Sequence, residues 1–199
     1  MAPASQLKLY TNVRSRGSIV EWYLKELGVQ YEPVTINMQK KEHKEEWFTS
    51  INPLGKVPAL VHGDLKLCES GAMLLFIADK YDERVETAED RALCAQWVLF
   101  AYTDMAELLF NKNLPEGRME AVMTYLESRL AAHPFVAGPE FTIADVAVGS
   151  HLVFSKVFLP QLDLGKWPAV AAYEKRISAR PACEAWASVV CGANMPPGK

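Results

Sequence analysis

The stretch Ile51-Asn-Pro-Leu-Gly-Lys-Val-Pro-Ala-Leu-Val-His-Gly-Asp-Leu-Lys-Leu-Cys-Glu-Ser70 decides how the first half of the chain is read. Ile51 to Lys56 has loop composition. The runs Ala59 to His62 and Lys66 to Cys68 flank Gly63-Asp64-Leu65, which predicts a tight hairpin. From Ser70 to Tyr81 the apolar spacing becomes helical. Toward the N-terminus, the apolar run Leu7 to Tyr10 precedes a polar loop and a helix whose buried face uses Ile19, Trp22, Tyr23 and Leu27, ending at Gly28. Tyr31 to Ile36 is β-rich, and Lys40 to Thr49 reads as a charged helix with Trp47 and Phe48 on its buried side. The order βαβα followed by ββα predicts a four-stranded mixed sheet with helices on its faces, a thioredoxin-like α/β domain.

No strand pattern follows. The polar stretch Lys80 to Asp90 divides the chain, and helical patterns then occupy Arg91 to Phe110, Glu116 to Ala132, Ile143 to Val157, Ala169 to Ala179 and Ala182 to Val190. Pro134, Pro139, Pro160, Pro168 and Pro181 punctuate them. The expected organisation is a thioredoxin-like domain over 1–81, a linker over 82–90 and an all-α bundle over 91–199.

With 50% hydrophobic and 23% charged residues, the chain can bury a real core, which argues against disorder. A net charge of −3 provides no basic field for a phosphate backbone or an anionic lipid surface, so neither nucleic acid nor membrane is an expected partner. The start Met1-Ala-Pro-Ala-Ser-Gln lacks the basic and apolar regions of a signal peptide, and no later stretch is apolar for long enough to span a bilayer. A cytoplasmic location follows as the expectation. Cys68, Cys94, Cys183 and Cys191 form neither a Cys-x-x-Cys pair nor a zinc-spaced cluster, so no metal site is expected.

Two places carry chemistry. In the first, a Val57-Pro58 bond between loop and strand is a candidate cis peptide that lets Val57 offer its N–H and C=O to an extended peptide. Lys56 can meet a carboxylate as a point charge. Ser70 stands at an N-cap or first-turn position beside Glu69, so a hydroxyl, helix amides and a carboxylate converge. That set suits a zwitterion carrying α-carboxylate and α-ammonium, such as the γ-glutamyl end of glutathione.

The second place is the loop Tyr10-Thr-Asn-Val-Arg-Ser-Arg-Gly-Ser18, where a helix begins. An anion there meets the positive helix end, the guanidinium of Arg14 or Arg16, and the hydroxyl of Ser15 or Ser18. A thiolate is such an anion. Lowering a thiol pKa by ~2 units needs ~2.7 kcal/mol of preferential stabilisation, within reach of one charge-assisted hydrogen bond plus a helix terminus. A third pattern, Phe141-Thr-Ile-Ala-Asp145, has capping-box spacing and reads as structural.

Taken in order, Leu9-Tyr10 with its Ser/Arg loop, Glu26-Leu-Gly-Val-Gln-Tyr-Glu32, Asn52 to Leu60, Glu69-Ser70 and Phe141 to Asp145 resemble the cytosolic glutathione transferase superfamily along essentially the whole chain. Ser15 to Leu24 looks most like the serine/arginine-type chi class. The resemblance implies glutathione as co-substrate, a cis Pro58, backbone bonds from Val57 to the cysteinyl unit, Lys56 on a glutathione carboxylate or backbone, and Glu69 and Ser70 on the γ-glutamyl group. It implies thiolate activation by Ser15 or Arg14, weighed equally, with Arg16 and Ser18 behind them. The expected reaction is transfer of the glutathione sulfur to small hydrophobic electrophiles, with peroxidase as a side activity. Candidates for the electrophile pocket are Tyr10, Tyr102, Met105, Ala106 and Phe110, and a homodimer is the family default. Two alternatives stand beside this reading: a non-catalytic transferase-like interaction domain and a glutathione-dependent isomerase.

Overall fold

Leu7–Thr11 alternates buried and half-buried residues, the period of a strand, and forms β1. In the computed structural model, which describes residues 6–192, β1 is central to a four-stranded sheet of order β2-β1-β3-β4. β2 is Glu32–Thr35, β3 Ala59–His62 and β4 Leu65–Leu67. β2 runs parallel to β1, with Lys8 opposite Glu32, whereas β3 is antiparallel, with Tyr10 opposite Ala59. Gly63 takes φ 61° in the turn between β3 and β4, a conformation open to glycine at no steric cost.

The chain divides into two compact units after Tyr81. In the first, α1 (Gly17–Glu26) buries Ile19, Val20, Trp22, Tyr23 and Leu24, and packs against α3 (Ser70–Tyr81), which buries Met73, Leu74, Ile77 and Ala78. A second cluster joins Ile36, Phe48 and Ala59, with Tyr10, Val34, Ile51 and Val57 packed against it. These two apolar cores fix the loops from which the site is built.

The expected helix from Lys40 to Thr49 is broken in two. Glu42–Lys44 forms one 3-10 turn and Glu46–Thr49 forms the single-turn α2. Lys41 takes a left-handed φ of 59° and Glu45 is extended, so a continuous helix cannot pass through either. A side-chain bond competes as well, since Glu42 Oε2 accepts from the Asn37 amide at 2.7 Å. Phe48 is buried, but Trp47 is 44% exposed, which corrects its expected place on the buried side.

The second unit is helical. α4 (Ala88–Phe100) starts three residues before Arg91 because Thr87 and Asp90 form a reciprocal capping box. One π-helical turn, Ala101–Met105, carries it into α5 (Ala106–Phe110). α6 (Arg118–Ala132), α7 (Ile143–Phe158), α8 (Pro168–Ser178) and α9 (Pro181–Val190) complete the described unit. α7 is buried along most of its length and packs against α4 and α8. Its capping box is the expected one, with Thr142 as N-cap and Asp145 accepting from the Thr142 amide at 2.9 Å. Asp145 also accepts from the Val136 amide and the Tyr173 hydroxyl, at 3.0 and 2.8 Å. Burial outweighs these bonds and pushes its carboxyl up to about 6. Among the described residues, no helix is long and apolar enough to cross a membrane, and no group of three acidic, histidine or cysteine side chains could hold a metal.

Candidate active site

The first loop is a network of short-range bonds. Asn12 Oδ1 accepts from the Arg14 amide at 3.1 Å, while Asn12 Nδ2 donates to the Ile36 carbonyl at 3.2 Å, tying the loop to the end of β2. Ser15 Oγ accepts from the Gly17 amide at 3.1 Å and lies 2.9 Å from Thr11 Oγ1. The hydroxyl thus sits at the amino end of α1, where the helix dipole favours negative charge. Ser18 is placed differently. It lies inside the first turn, almost fully buried, and its hydroxyl donates to the Ser15 carbonyl at 3.0 Å. Arg16 takes the N-cap position with helical backbone angles and no side-chain cap bond. Arg14 and Arg16 are both exposed.

Gly17 has a steric role. A Cβ there would stand 1.9 Å from Thr11 Oγ1 and 3.0 Å from Pro58 Cβ, so only glycine lets α1 start this close to β1 and the proline loop.

The second loop is organised by Asn52, which is 2% exposed. Its Nδ2 donates to the Lys56 carbonyl at 2.6 Å and its Oδ1 accepts from the Leu54 amide at 3.1 Å. Gly55 turns the chain with φ 54°, and a Cβ there would strike the His43 carbonyl at 2.7 Å. Lys44 Nζ donates to the Gly55 carbonyl at 2.9 Å, bringing a second ammonium to this loop besides Lys56. The Val57–Pro58 peptide is cis, and β3 begins at Ala59.

Past the hairpin, Glu69 holds a left-handed φ of 67°, unusual for a non-glycine residue, and its carbonyl accepts from Met73 in the first turn of α3. Ser70 is the first helical residue rather than the cap and is 4% exposed, whereas Glu69 is exposed. Cys68, just before them, has its thiol pushed up by burial and by the Glu69 carboxylate.

The structure brings the two loops together. One cavity of about 240 Å³ is lined by Ser15 and Arg16, by Asn52, Leu54, Lys56, Val57 and Pro58, and by Glu69 and Ser70. A second, of about 610 Å³, meets it at Ser15 and Val57 and opens along Asn12, Val13, Arg14 and residues 35–39. Tyr10, an expected electrophile contact, packs its ring 6.2 Å from Phe48 and 6.4 Å from Trp47.

In the helical unit, Met105 and Ala106 belong to the core, at 3% and 8% exposure. Tyr102 sets its ring edge-on against His151 at 5.4 Å, and Phe110 is exposed and packs edge-on against Phe158 at 5.2 Å. Tyr102 lies within the π-turn and Phe110 ends the helix after it, an irregularity that helical spacing alone does not register. Thr11, Gly17, Asn52 and Lys44 are contributors that the sequence reading passed over. Asn52 and Gly55 were visible as turn residues, but Thr11 and Lys44 leave no sequence signal, because their roles depend on partners brought near by folding.

The mixed sheet with its proline loop and the helical unit after it define a thioredoxin-like domain joined to an all-α one. Residues 5–79 match the family model described as glutathione S-transferase, N-terminal domain, and residues 116–187 match that of glutathione S-transferase, C-terminal domain. Glutathione S-transferase 3 of Zea mays is 30% identical over 94% of this chain and 88% of its own length. A glutathione S-transferase of Hyoscyamus muticus is 30% identical over 80% of this chain and 86% of its own length. Among solved structures, glutathione S-transferase-I bound with lactoylglutathione superposes with a TM-score of 0.77 at 25% identity, covering 93% of this chain and 100% of that one. The chain belongs to the glutathione S-transferase family.

Proposed function

We propose that this protein transfers the sulfur of glutathione to small electrophiles, with glutathione extended through the cavity that Ser15 shares with Val57, Glu69 and Ser70. The observation that carries the reading is that one cavity joins the hydroxyl at the start of α1 to the proline loop and to the start of α3. In this reading Glu69 takes the γ-glutamyl ammonium, while Ser70 and the first amides of α3 take its carboxylate. The Val57 backbone pairs with the cysteinyl unit, and Lys56 with Lys44 meets the glycyl carboxylate.

The thiol then lies at Ser15. Its ionised form gains the Ser15 hydroxyl as donor and the amino end of α1 as a positive partner, with Arg14 and Arg16 supplying further positive charge. Catalysis is supply of a thiolate next to a bound electrophile. We assign glutathione binding to 1–81, a connecting segment to 82–90 and the apolar part of the electrophile site to 91–199, with Tyr102 and Phe110 as the foremost residues there. The Ser15 to Leu24 segment favours the chi class within the superfamily. A cytoplasmic homodimer, with peroxidase as a side activity, completes the reading.

The test is an ultraviolet thiolate titration of glutathione bound to the protein, run beside conjugation of dinitrochlorobenzene. The expected result is a bound-thiol pKa ~2 units below that of an ordinary cysteine thiol, with conjugation above the uncatalysed rate. Absence of glutathione binding would overturn the transferase reading and favour a transferase fold put to another use.

A further inference from the structure

The second cavity has a chemistry of its own. At about 610 Å³ it is larger than the glutathione cavity it adjoins, and Ser15 and Val57 line both. A sulfur held at Ser15 therefore faces this groove. Its walls are built before any ligand arrives. The Ile36 amide donates to the Thr11 carbonyl at 2.8 Å, Asn12 Nδ2 to the Ile36 carbonyl at 3.2 Å, and the Lys40 amide to Asn37 Oδ1 at 3.0 Å.

The lining has two characters. Val13 and Met38 are apolar and exposed, at 45% and 39%. Arg14 adds a guanidinium and Gln39 an amide, and Lys40 and Lys41 follow directly in the chain, all of them exposed. The carboxylate nearest in this segment, Glu42, holds the Asn37 amide at 2.7 Å. Arg14 is thus the cation lining a groove with an apolar edge, and two lysines come next in the chain after Gln39.

We propose that the electrophile taken up beside the sulfur has an apolar body and an anionic substituent, a carboxylate-bearing arene being the model case, with Arg14 and Gln39 selecting for that substituent. This rests on the transferase reading above and narrows its substrate class. In the reaction, the thiol proton leaves to solvent and the thiolate attacks the ring carbon bearing chlorine. A carbon–sulfur bond forms, the carbon–chlorine bond breaks, and chloride departs with the electron pair. Arg14 also lies within reach of the thiolate in the reading above, so its substitution is judged by substrate preference rather than by total rate.

The experiment compares a chloronitrobenzoate, with chlorine ortho to the nitro group, and the matching chloronitrobenzamide. Each kcat/KM is divided by the uncatalysed rate with glutathione, and dinitrochlorobenzene serves as a reference. For the wild type the benzoate-to-amide ratio is expected to exceed one by roughly threefold, the scale of a solvent-exposed charge pair, and to fall with added salt. Arg14→Gln brings the ratio toward one, and Gln39→Glu drives it below one, with the change carried in KM. A wild-type ratio at or below one, or a ratio that neither substitution moves, overturns this assignment alone. Failure to conjugate any of the three halides overturns the transferase reading and this inference together.

Discussion

The Gly17 amide donates to Ser15 Oγ at 3.1 Å, so the hydroxyl ahead of α1 is positioned by the helix it precedes. With its oxygen accepting from that amide, the hydroxyl proton is left for either Thr11 Oγ1, 2.9 Å away, or a ligand anion. A thiolate competes well for it, because charge-assisted hydrogen bonds are about twice as strong as neutral ones. Ser15→Ala is expected to raise the pKa of bound glutathione by about 1–2 units, the equivalent of one such bond. Arg14→Ala, which removes an exposed charge, is expected to raise it by less. Ultraviolet titration of the two variants decides the order.

Gly17→Ala tests the close approach of α1 to β1. With Thr11 Oγ1 at 1.9 Å and Thr11 Cβ at 2.7 Å from the new Cβ, something in the loop has to shift. The expected loss is about 1–3 kcal/mol of stability, seen as a lower thermal midpoint, together with weaker glutathione binding because Ser15 is displaced. An unchanged midpoint would show that the first loop relaxes freely.

Asn52→Ala removes both bonds that shape the proline loop and leaves the Leu54 amide and the Lys56 carbonyl without this partner. A cost of about 1–3 kcal/mol in chemical denaturation is expected, with a raised KM for glutathione. Asn52→Asp keeps the acceptor for Leu54 but loses the donor to Lys56, so it should fall between wild type and Ala in stability.

Glu69 combines a left-handed backbone with a proposed ligand contact. Glu69→Gly and Glu69→Ala both remove the carboxylate, so both should raise the KM for glutathione. Only glycine relieves the backbone, so the Gly variant should be more stable than the Ala variant by about 1 kcal/mol. Equal stabilities would mean that the φ of 67° carries no penalty in this setting.

Asp145 gives a pH dependence of defined sign. Its carboxyl is raised from 3.8 to about 6 in the folded chain, so the native state binds more protons than the unfolded state between those values. The stability tied to this group is therefore fully present below pH 3.8 and is lost as pH rises through about 6. Asp145→Asn, which cannot titrate, should be less stable than wild type because its amide faces the Thr142 N–H or the Val136 N–H, one donor against another. Its deficit should shrink between about pH 4 and pH 6. Denaturation of both proteins across that range checks the slope.

Much of the fold could be read from spacing alone. The apolar run of β1, the α1 apolar face and the Thr142–Asp145 capping box are local, and folding preserved each of them. Lys40 to Thr49 misled because its composition favours helix, while Glu42 is drawn to the Asn37 amide and Lys41 to a left-handed turn. The place of Ser18 could not be read from composition either: the helix begins at Gly17 and turns that hydroxyl inward to the Ser15 carbonyl.

The sequence by itself determined the order of the strands and principal helices and the change from strand-bearing to helical chain after Tyr81, and it supplied the residue types proposed to hold a peptide zwitterion and a thiolate. These follow from periodicity and side-chain chemistry, which act over a few residues. Only the tertiary structure decided that Ser15 and Val57 line the same cavity and that Thr11, 47 residues before Pro58 in sequence, meets it across Gly17. Such meetings depend on the parallel β1–β2 and antiparallel β1–β3 pairings, which bring distant loops to one end of the sheet. No local pattern encodes them, because the contacts are made by backbone closure rather than by neighbouring side chains.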